Sequence, residues 1–386
     1  MTARSSDTVG GVTTNASDAL YGIRLTRAMP AGRAGEADRH GTYSAALGQF
    51  EELLNAAAVA SPASRPLPLF YALSQAGRAI AAAGADMPWR LVGHGIQTSS
   101  LNVEDVLTVR VKERKQGTPK QPADSKEPDK QAIDERQEEA PADESAEEPA
   151  EEAPVEETRW SVDSFRGVAA ATETSALNRP VKLGALWASL PEIADVLPTD
   201  EWSKPLRVHP DDEVFTKMAV WDRVSATVMG LDATSLDDVM EQLAAYPGAA
   251  GLRPITAQGG PMLNAFTPWG YGLRVSWPLT DGTLTGREEL LDRVAPLYGQ
   301  SDERWLRPAL GEAELSPLMT WWALLYALSM LARYEPGTWS AALDLNKSRL
   351  AAGLIQVLDV AMESVPELVL DALNRAATPA DPGPQS

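Results

Sequence analysis

The stretch that decides the fold is ELSPLMTWWALLYALSMLARYEPGTW, residues 314–339. Its Ser316-Pro317 pair is typical of a helix start, because a serine side chain caps the first turn and proline fits the first helical position. An almost uninterrupted apolar run follows, from 318 to 332. At about 1.5 Å per residue the run is shorter than the ~30 Å hydrocarbon core of a bilayer. It therefore predicts a helix buried in a globular protein, and no contact with a membrane.

A second stretch, FYALSQAGRA at 70–79, shares the pattern Tyr-x-x-Ser-x-x-x-Arg with the first. At about 100° per residue these three positions lie on one stripe of a helix. Each stripe sets polar groups on a surface that is otherwise apolar. The predicted binding residues on the two helices are Tyr71, Ser74, Gln75 and Arg78, and Tyr326, Ser329, Arg333 and Glu335.

The arginine of each stripe admits two interpretations. A buried guanidinium is costly unless it meets a carboxylate, a phosphate or several carbonyls, which predicts an anion site. Alternatively, Arg78 and Arg333 lie near helix C-termini and extend into solvent, where they interact favourably with the helix dipole. The sequence leaves both open.

The segment WRLVGHGIQ places His94 between two glycines, where backbone can approach a ligand closely. His94 is therefore a candidate binding residue and the best candidate general base. Arg78 and Arg90 are the candidate catalytic cations beside it. The alternative is a histidine that only bonds the backbone of its own loop.

Composition narrows the class of protein. The chain has 386 residues, 44% of them hydrophobic, with 11 Trp that need a core or a binding surface. It has no Cys and only 3 His, so no metal site is predicted. No phosphate-binding or dinucleotide-binding glycine motif occurs, and no cofactor is predicted. The N-terminus lacks an apolar signal segment, so a cytoplasmic protein is expected.

Half of the net charge of −20 lies in one segment. Residues 113–158 hold 16 acidic and 6 basic residues, a net of −10, together with 6 prolines. This composition predicts a large disordered acidic insertion, interpreted as an overgrown hairpin loop between paired strands at VLTVRVK and RWSVDSF. The rest of the chain is mildly acidic, so binding to duplex DNA is not expected.

Hydrophobic periodicity predicts an α+β protein, mostly α-helical with a small antiparallel sheet. Helices are expected at about 42–60 and 69–83, and again after the N-cap Ser235. The predicted organisation has four parts. They are a partly disordered N-terminal segment at 1–40, a single globular domain at 41–376, the insertion at 113–158 within it, and a disordered tail at 377–386.

Four stretches, in this order, resemble the YaaC-like family of bacterial proteins. They are LPLFYALSQAGRAI, VGHGIQTSS, LWASLPEIADVL and ELSPLMTWWALLYALSMLARYEPGTW. The resemblance spans residues from about 67 to 340 and implies an intracellular protein of undefined activity. It supplies no catalytic residues, and the acidic insertion departs from the shorter family pattern.

A fainter similarity links residues 70–95 to HEPN helical domains, many of which are metal-independent ribonucleases that dimerise. Their typical motif is an arginine, a polar residue and then a histidine. Here Arg90 and His94 are the nearest match, with a shorter spacing and without the polar residue after the arginine. This resemblance implies RNA as a substrate and a homodimer.

Three functions follow as hypotheses. The first is a non-catalytic protein that binds a ligand or partner, such as an anionic small molecule, through the polar stripes and His94. The second is a HEPN-like metal-independent ribonuclease in stress or phage defence, in which His94 takes the 2′-hydroxyl proton and Arg78 or Arg90 stabilises the phosphorane charge. The third is an interaction protein that recruits a basic partner through 137–157.

Overall fold

The computed structural model describes thirteen segments of the chain, and the statements below concern these segments. They are residues 14–30, 32–84, 88–101, 105–114, 161–196, 201–211, 223–231, 235–257, 260–261, 263–267, 270–279, 284–298 and 302–377. The core of the acidic insertion and the tail after 377 lie outside them, so the disorder predicted there stays a prediction.

The described residues form ten α-helices, in agreement with the predicted mostly helical α+β fold. The predicted helices at 42–60 and 69–83 correspond to α2 and α3. The helices are α1 (Thr14–Ala28), α2 (Ala37–Val59), α3 (Pro66–Gly84), α4 (Ser164–Ala171), α5 (Leu183–Ala188), α6 (Leu236–Leu243), α7 (Leu284–Val294), α8 (Pro317–Tyr334), α9 (Pro336–Ala342) and α10 (Ala351–Ala377).

The helix-start signals read from sequence are confirmed. Ser316 Oγ accepts a hydrogen bond from Met319 N at 3.3 Å, and Pro317 is the first residue of α8. Ser235 Oγ accepts from Asp238 N at 3.1 Å at the start of α6. These local bonds satisfy backbone donors that the first turn of a helix leaves free.

Helix α3 lies at the centre of the larger hydrophobic core. It packs against α2, α4, α8 and α10. Small residues allow the closest approach: a Cβ added to Gly77 would lie 2.5 Å from the Trp322 ring of α8. Trp187, Trp321, Trp322 and Trp339 are all fully buried in this core, which accounts for much of the high Trp content.

The strands form four sheets. A three-stranded antiparallel sheet has the order β2-β3-β5, a six-stranded antiparallel sheet has the order β11-β12-β7-β6-β13 with β8 on β12, β9 pairs with β10, and β1 pairs with β4. The strands are β1 (Arg90–Val92), β2 (Ile96–Ser100), β3 (Arg110–Glu113), β4 (Ser161–Asp163), β5 (Val181–Lys182), β6 (Leu206–Pro210), β7 (Arg223–Leu231), β8 (Arg253–Pro254), β9 (Thr256–Ala257), β10 (Gly260–Pro261), β11 (Leu263–Thr267), β12 (Gly270–Pro278) and β13 (Arg304–Leu306).

The six-stranded sheet has a hydrophobic core of its own. Its inward side chains pack under α6 and α7 around the buried Trp277, in a cluster separate from the helical core. The fold thus has two apolar centres within the part of the chain that was predicted to be one domain.

The predicted hairpin around the acidic insertion is wrong. Strand β3 pairs antiparallel with β2 and β5, whereas β4 pairs in parallel with β1, with Leu91 opposite Val162. The strand predicted from VLTVRVK also begins later, because Val106–Thr108 forms a 3₁₀ turn. The insertion therefore connects strands of two different sheets. Hydrophobic alternation along a strand does not reveal which other strand it pairs with.

Candidate functional site

The two polar stripes face each other across α3 and α8. The Phe70 and Tyr326 rings lie 5.3 Å apart, centre to centre, in an edge-to-face arrangement. Arg333 donates a hydrogen bond to the hydroxyl of Tyr71 and stacks over that ring, with Cζ 5.5 Å from its centre. Aromatic pairs of this kind add to the free energy of area burial, so the stripes hold the helices together as well as carrying polar groups.

His94 enters this contact from the loop between β1 and β2. Gly93 and Gly95 have φ values of 63° and 76°, a conformation that side chains other than glycine adopt rarely. Ser164 Oγ donates to Gly93 O at 2.5 Å. A Cβ on Gly95 would lie 2.0 Å from Asp163 Oδ1. The loop is therefore held against the start of α4, and His94 is turned towards the two helices.

The His94 ring lies among three aromatic rings. Its centre is 5.2 Å from Phe70, 5.9 Å from Tyr326 and 6.4 Å from Tyr71. Nδ1 is buried and has no hydrogen-bond partner among the described residues. Burial lowers the pKa of His94, and the positive charges of Arg333 and Arg78 lower it further. The imidazole is therefore neutral near pH 7, with a free ring nitrogen.

Three arginines lie close to the His94 loop, and two of them, Arg78 and Arg333, act on the imidazole itself. Arg78 Nη1 donates to Leu91 O at 3.2 Å, which ties α3 to β1. Arg114 donates its backbone N–H to Gly95 O at 2.7 Å, so it lies directly beside the histidine loop. Burial raises the pKa of Tyr326, while the charges of Arg114 and Arg333 oppose that rise. We call His94, Tyr71, Tyr326, Arg78, Arg114 and Arg333 the His94 cluster.

No ion pair of the described residues joins a carboxylate to Arg78, Arg114 or Arg333. The nearby acids Glu113 and Asp163 both pair with Arg166 instead, the second at 3.6 Å. The His94 cluster therefore carries an excess of positive charge on an otherwise acidic protein, which favours an anion.

Other predicted residues have local roles. Ser329 is buried and donates to Tyr326 O of its own helix at 2.7 Å. Ser74 is buried and Gln75 half-buried on α3, but no hydrogen bond within the described segments joins either to the cluster. Glu335 ends α8 as its C-cap. Arg90 lies on β1 with Cζ 5.6 Å from the centre of the Trp89 ring, so it is directed to that ring.

Sequence reasoning missed Arg114 as a member of the His94 cluster. It falls within the predicted acidic insertion at 113–158, of which only the first two residues are described. The signal available was its position at the end of a predicted strand, but only the pairing of β3 with β2 brings it beside Gly95.

A second polar cluster, also missed, lies in the helical core, to which the buried Trp321 belongs and against which Tyr298 packs. Glu192 Oε1 accepts hydrogen bonds from Tyr298 Oη at 2.5 Å and Trp321 Nε1 at 2.6 Å. Burial raises the pKa of Glu192, and these donors oppose the rise. Burial and the charge of Glu192 raise the pKa of Tyr298 well above its ordinary value. We call these three residues the Glu192 network.

Together, fold and site define a mostly helical α+β protein with a basic, tyrosine-rich cluster between two core helices. Within the described segments there is no group of three or more His, Asp or Glu residues that could hold a metal ion. Nor does any helix in them have the length and apolarity to cross a membrane.

Comparison with models of known protein families identifies the family to which the chain belongs. The model of the family described as YaaC-like Protein matches residues 25–373, and the chain belongs to this family. The match includes both stripes, the histidine loop and the six-stranded sheet. No curated protein and no solved structure matches the chain.

Proposed function

We propose that this protein binds an anionic small molecule at the His94 cluster and does not transform it. The observation that carries the proposal is the position of Arg78, Arg114 and Arg333 around the histidine loop, with no carboxylate of the described residues paired to any of them. Guanidinium groups bind carboxylates and phosphates through paired, charge-assisted hydrogen bonds.

The surroundings indicate what kind of anion fits. Tyr71 and the exposed Tyr334 offer ring faces and hydroxyls, and Arg333 lies within stacking distance of both rings. Base and ring stacking on such side chains is favourable for any planar group. A phosphorylated molecule with a planar ring meets both features.

The test is a binding titration with adenosine monophosphate and, separately, ribose 5-phosphate as probes, by calorimetry at fixed ionic strength. Arg333→Gln should weaken binding of the nucleotide about tenfold or more, as expected for a hydrogen bond to a charged group. Arg349→Gln is the matched control, because Arg349 is also exposed but lies outside the cluster. Equal binding by both variants, or no binding of either probe to the unchanged protein, contradicts the proposal.

The second candidate is the HEPN-like ribonuclease. It is favoured by one observation: the neutral His94 has a buried ring nitrogen with no partner among the described residues, as a general base requires. His94 would take the 2′-hydroxyl proton, and Arg78 would stabilise the charge that develops on the phosphorus oxygens.

Incubation of the purified protein with single-stranded RNA separates the two candidates. Cleavage that persists in EDTA and disappears in His94→Ala supports the ribonuclease. RNA that stays intact at high protein concentration removes it and leaves the non-catalytic proposal.

A further inference from the structure

A third polar feature, the side chain of Arg307, lies at a cavity of about 70 Å³ between the sheet region and the helical core. Five segments enclose it: the end of α4, the connection between α7 and β13, β13 with the residue after it, the first turn of α8, and the last turns of α10. The lining residues that carry the argument are Arg307, Leu318, Leu368, Asp371, Ala372 and Arg375.

Arg307 is the feature of this cavity that needs an explanation. Its Nη1 donates to Leu315 O, but its Nε is buried and has no hydrogen-bond partner among the described residues. Burial lowers the pKa of Arg307. Arg307 is half-buried, and a buried N–H without an acceptor is costly, so its retention beside a cavity points to a ligand.

Arg304, three residues earlier, shows what a satisfied arginine of the same segment looks like. Its Nη1 donates to Asp292 Oδ1 at 2.6 Å and to Ala295 O at 3.2 Å, and its Nη2 donates to Glu288 Oε2 at 3.1 Å. Arg304 lies on β13, and Arg307 directly follows that strand. Only Arg307 lines the cavity and lacks a paired carboxylate within the described segments.

The other charges around the cavity do not supply that carboxylate. Asp371 pairs with Arg375 at 3.0 Å, and the charge of Arg375 opposes the protonated form of Arg307. Glu314 acts on Arg307 only through space, in the favourable sense. The N-terminus of α8 adds a partial positive charge nearby.

We infer that the cavity is a binding site for a small carboxylate anion with a short apolar end. The guanidinium of Arg307 pairs with a carboxylate in a planar geometry. Leu318, Leu368 and Ala372 form an apolar part of the wall, which suits a hydrocarbon end better than a phosphate. The volume of 70 Å³ is about half that of a cavity that holds benzene, so the ligand is about the size of propionate.

The experiment is a calorimetric titration of the full chain with sodium propionate at constant ionic strength. It is carried out in the Arg333→Gln background, so that the His94 cluster contributes little to the signal. Saturable binding of one propionate is expected, at least about tenfold weaker when Arg307→Gln is added. Adding Arg349→Gln instead is the control and should leave binding unchanged.

Three outcomes overturn the inference: no saturable binding, equal binding with and without Arg307→Gln, or inorganic phosphate binding more tightly than propionate through Arg307. Should Arg307→Gln fail to fold, Ala372→Leu gives an independent test, because the added side chain fills the cavity. This variant should abolish the rise in melting temperature that propionate produces. A rise as large as that of the parent protein contradicts a ligand in this cavity.

Discussion

Helix α8 carries a polar cluster near each end, and the two are built in opposite ways. Near its start, Trp321 belongs to the Glu192 network, where a buried acid accepts two hydrogen bonds from neutral donors. Near its end, Arg333 belongs to the His94 cluster, where no acid of the described segments pairs with the arginines and a tyrosine hydroxyl accepts from Arg333.

This difference distinguishes polar groups that stabilise the fold from polar groups that are available to a ligand. In the Glu192 network two donors share one acceptor, Oε1 of Glu192, so removal of that acceptor should cost stability. In the His94 cluster the positive charges exceed the acceptors on the described residues, so their removal should cost binding. The following variants test whether the Glu192 network is structural and the His94 cluster is a binding site, and a failed prediction would contradict that contrast.

The largest effect is expected from Glu192→Ala. This change leaves the Tyr298 hydroxyl and the Trp321 N–H buried without an acceptor, at about 1–3 kcal/mol for each group. We therefore expect a loss of about 2–5 kcal/mol in the free energy of unfolding, measured with urea. Glu192→Gln keeps an acceptor oxygen and should cost about 1 kcal/mol or less. Equal losses in both variants would show that the hydrogen bonds are unimportant.

A smaller effect is expected from Tyr298→Phe, which removes one donor but leaves Trp321 bonded to Glu192. The expected loss is about 1–2 kcal/mol of unfolding free energy. Trp321→Phe removes the other donor and serves as the partner in a double-mutant cycle. Because both donors share Oε1, the two losses should not add, and strict additivity would argue against a common network.

Arg333→Gln should change the unfolding free energy by no more than about 0.5 kcal/mol, because the side chain is exposed and screened by solvent. The same variant is the one expected to lose nucleotide binding. Tyr71→Phe removes only the hydroxyl that accepts from Arg333 and should behave likewise in urea. A large loss of stability in either variant would make the His94 cluster structural.

The two clusters should also respond to pH with opposite signs. The folded-state pKa of Glu192 lies above its ordinary 4.5, so as pH rises above 4.5 the unfolded chain loses its proton first. The unchanged protein should then lose stability relative to Glu192→Gln. Urea unfolding of both proteins across this range measures the difference, and a flat difference would contradict the raised pKa.

The folded-state pKa of His94 lies below its ordinary 6.5, so as pH falls below 6.5 the unfolded chain gains a proton first. The unchanged protein should lose stability relative to His94→Gln on the acid side. An NMR titration of the histidine ring protons gives an independent check. A ring that titrates at or above 6.5 would show that the arginines and burial do not act on it as described.

Much of the local structure could be predicted from the residues. Ser316-Pro317 marked the start of α8, and apolar periodicity placed α2 and α3, because capping bonds and helical packing depend on residues a few positions apart. The glycines around His94 likewise marked a tight loop. These features need no knowledge of distant segments.

The pairing of strands and the Glu192 network could not be predicted in this way. Glu192 is 106 positions from Tyr298 and 129 from Trp321. In sequence, Glu192 is one acid in a short helical stretch, and nothing near it indicates a buried position. The parallel pairing of β1 with β4 also joins segments on opposite sides of the acidic insertion.

By itself, the sequence determined which residues lie on each polar stripe, because helical geometry fixes the spacing of side chains along one face. Only the tertiary structure decided that the stripes face each other, that Arg114 lies beside the histidine loop, and that Arg333 meets Tyr71. The reason is physical: a polar side chain takes its partner from whichever segment packing brings near, and that choice is made by the whole core.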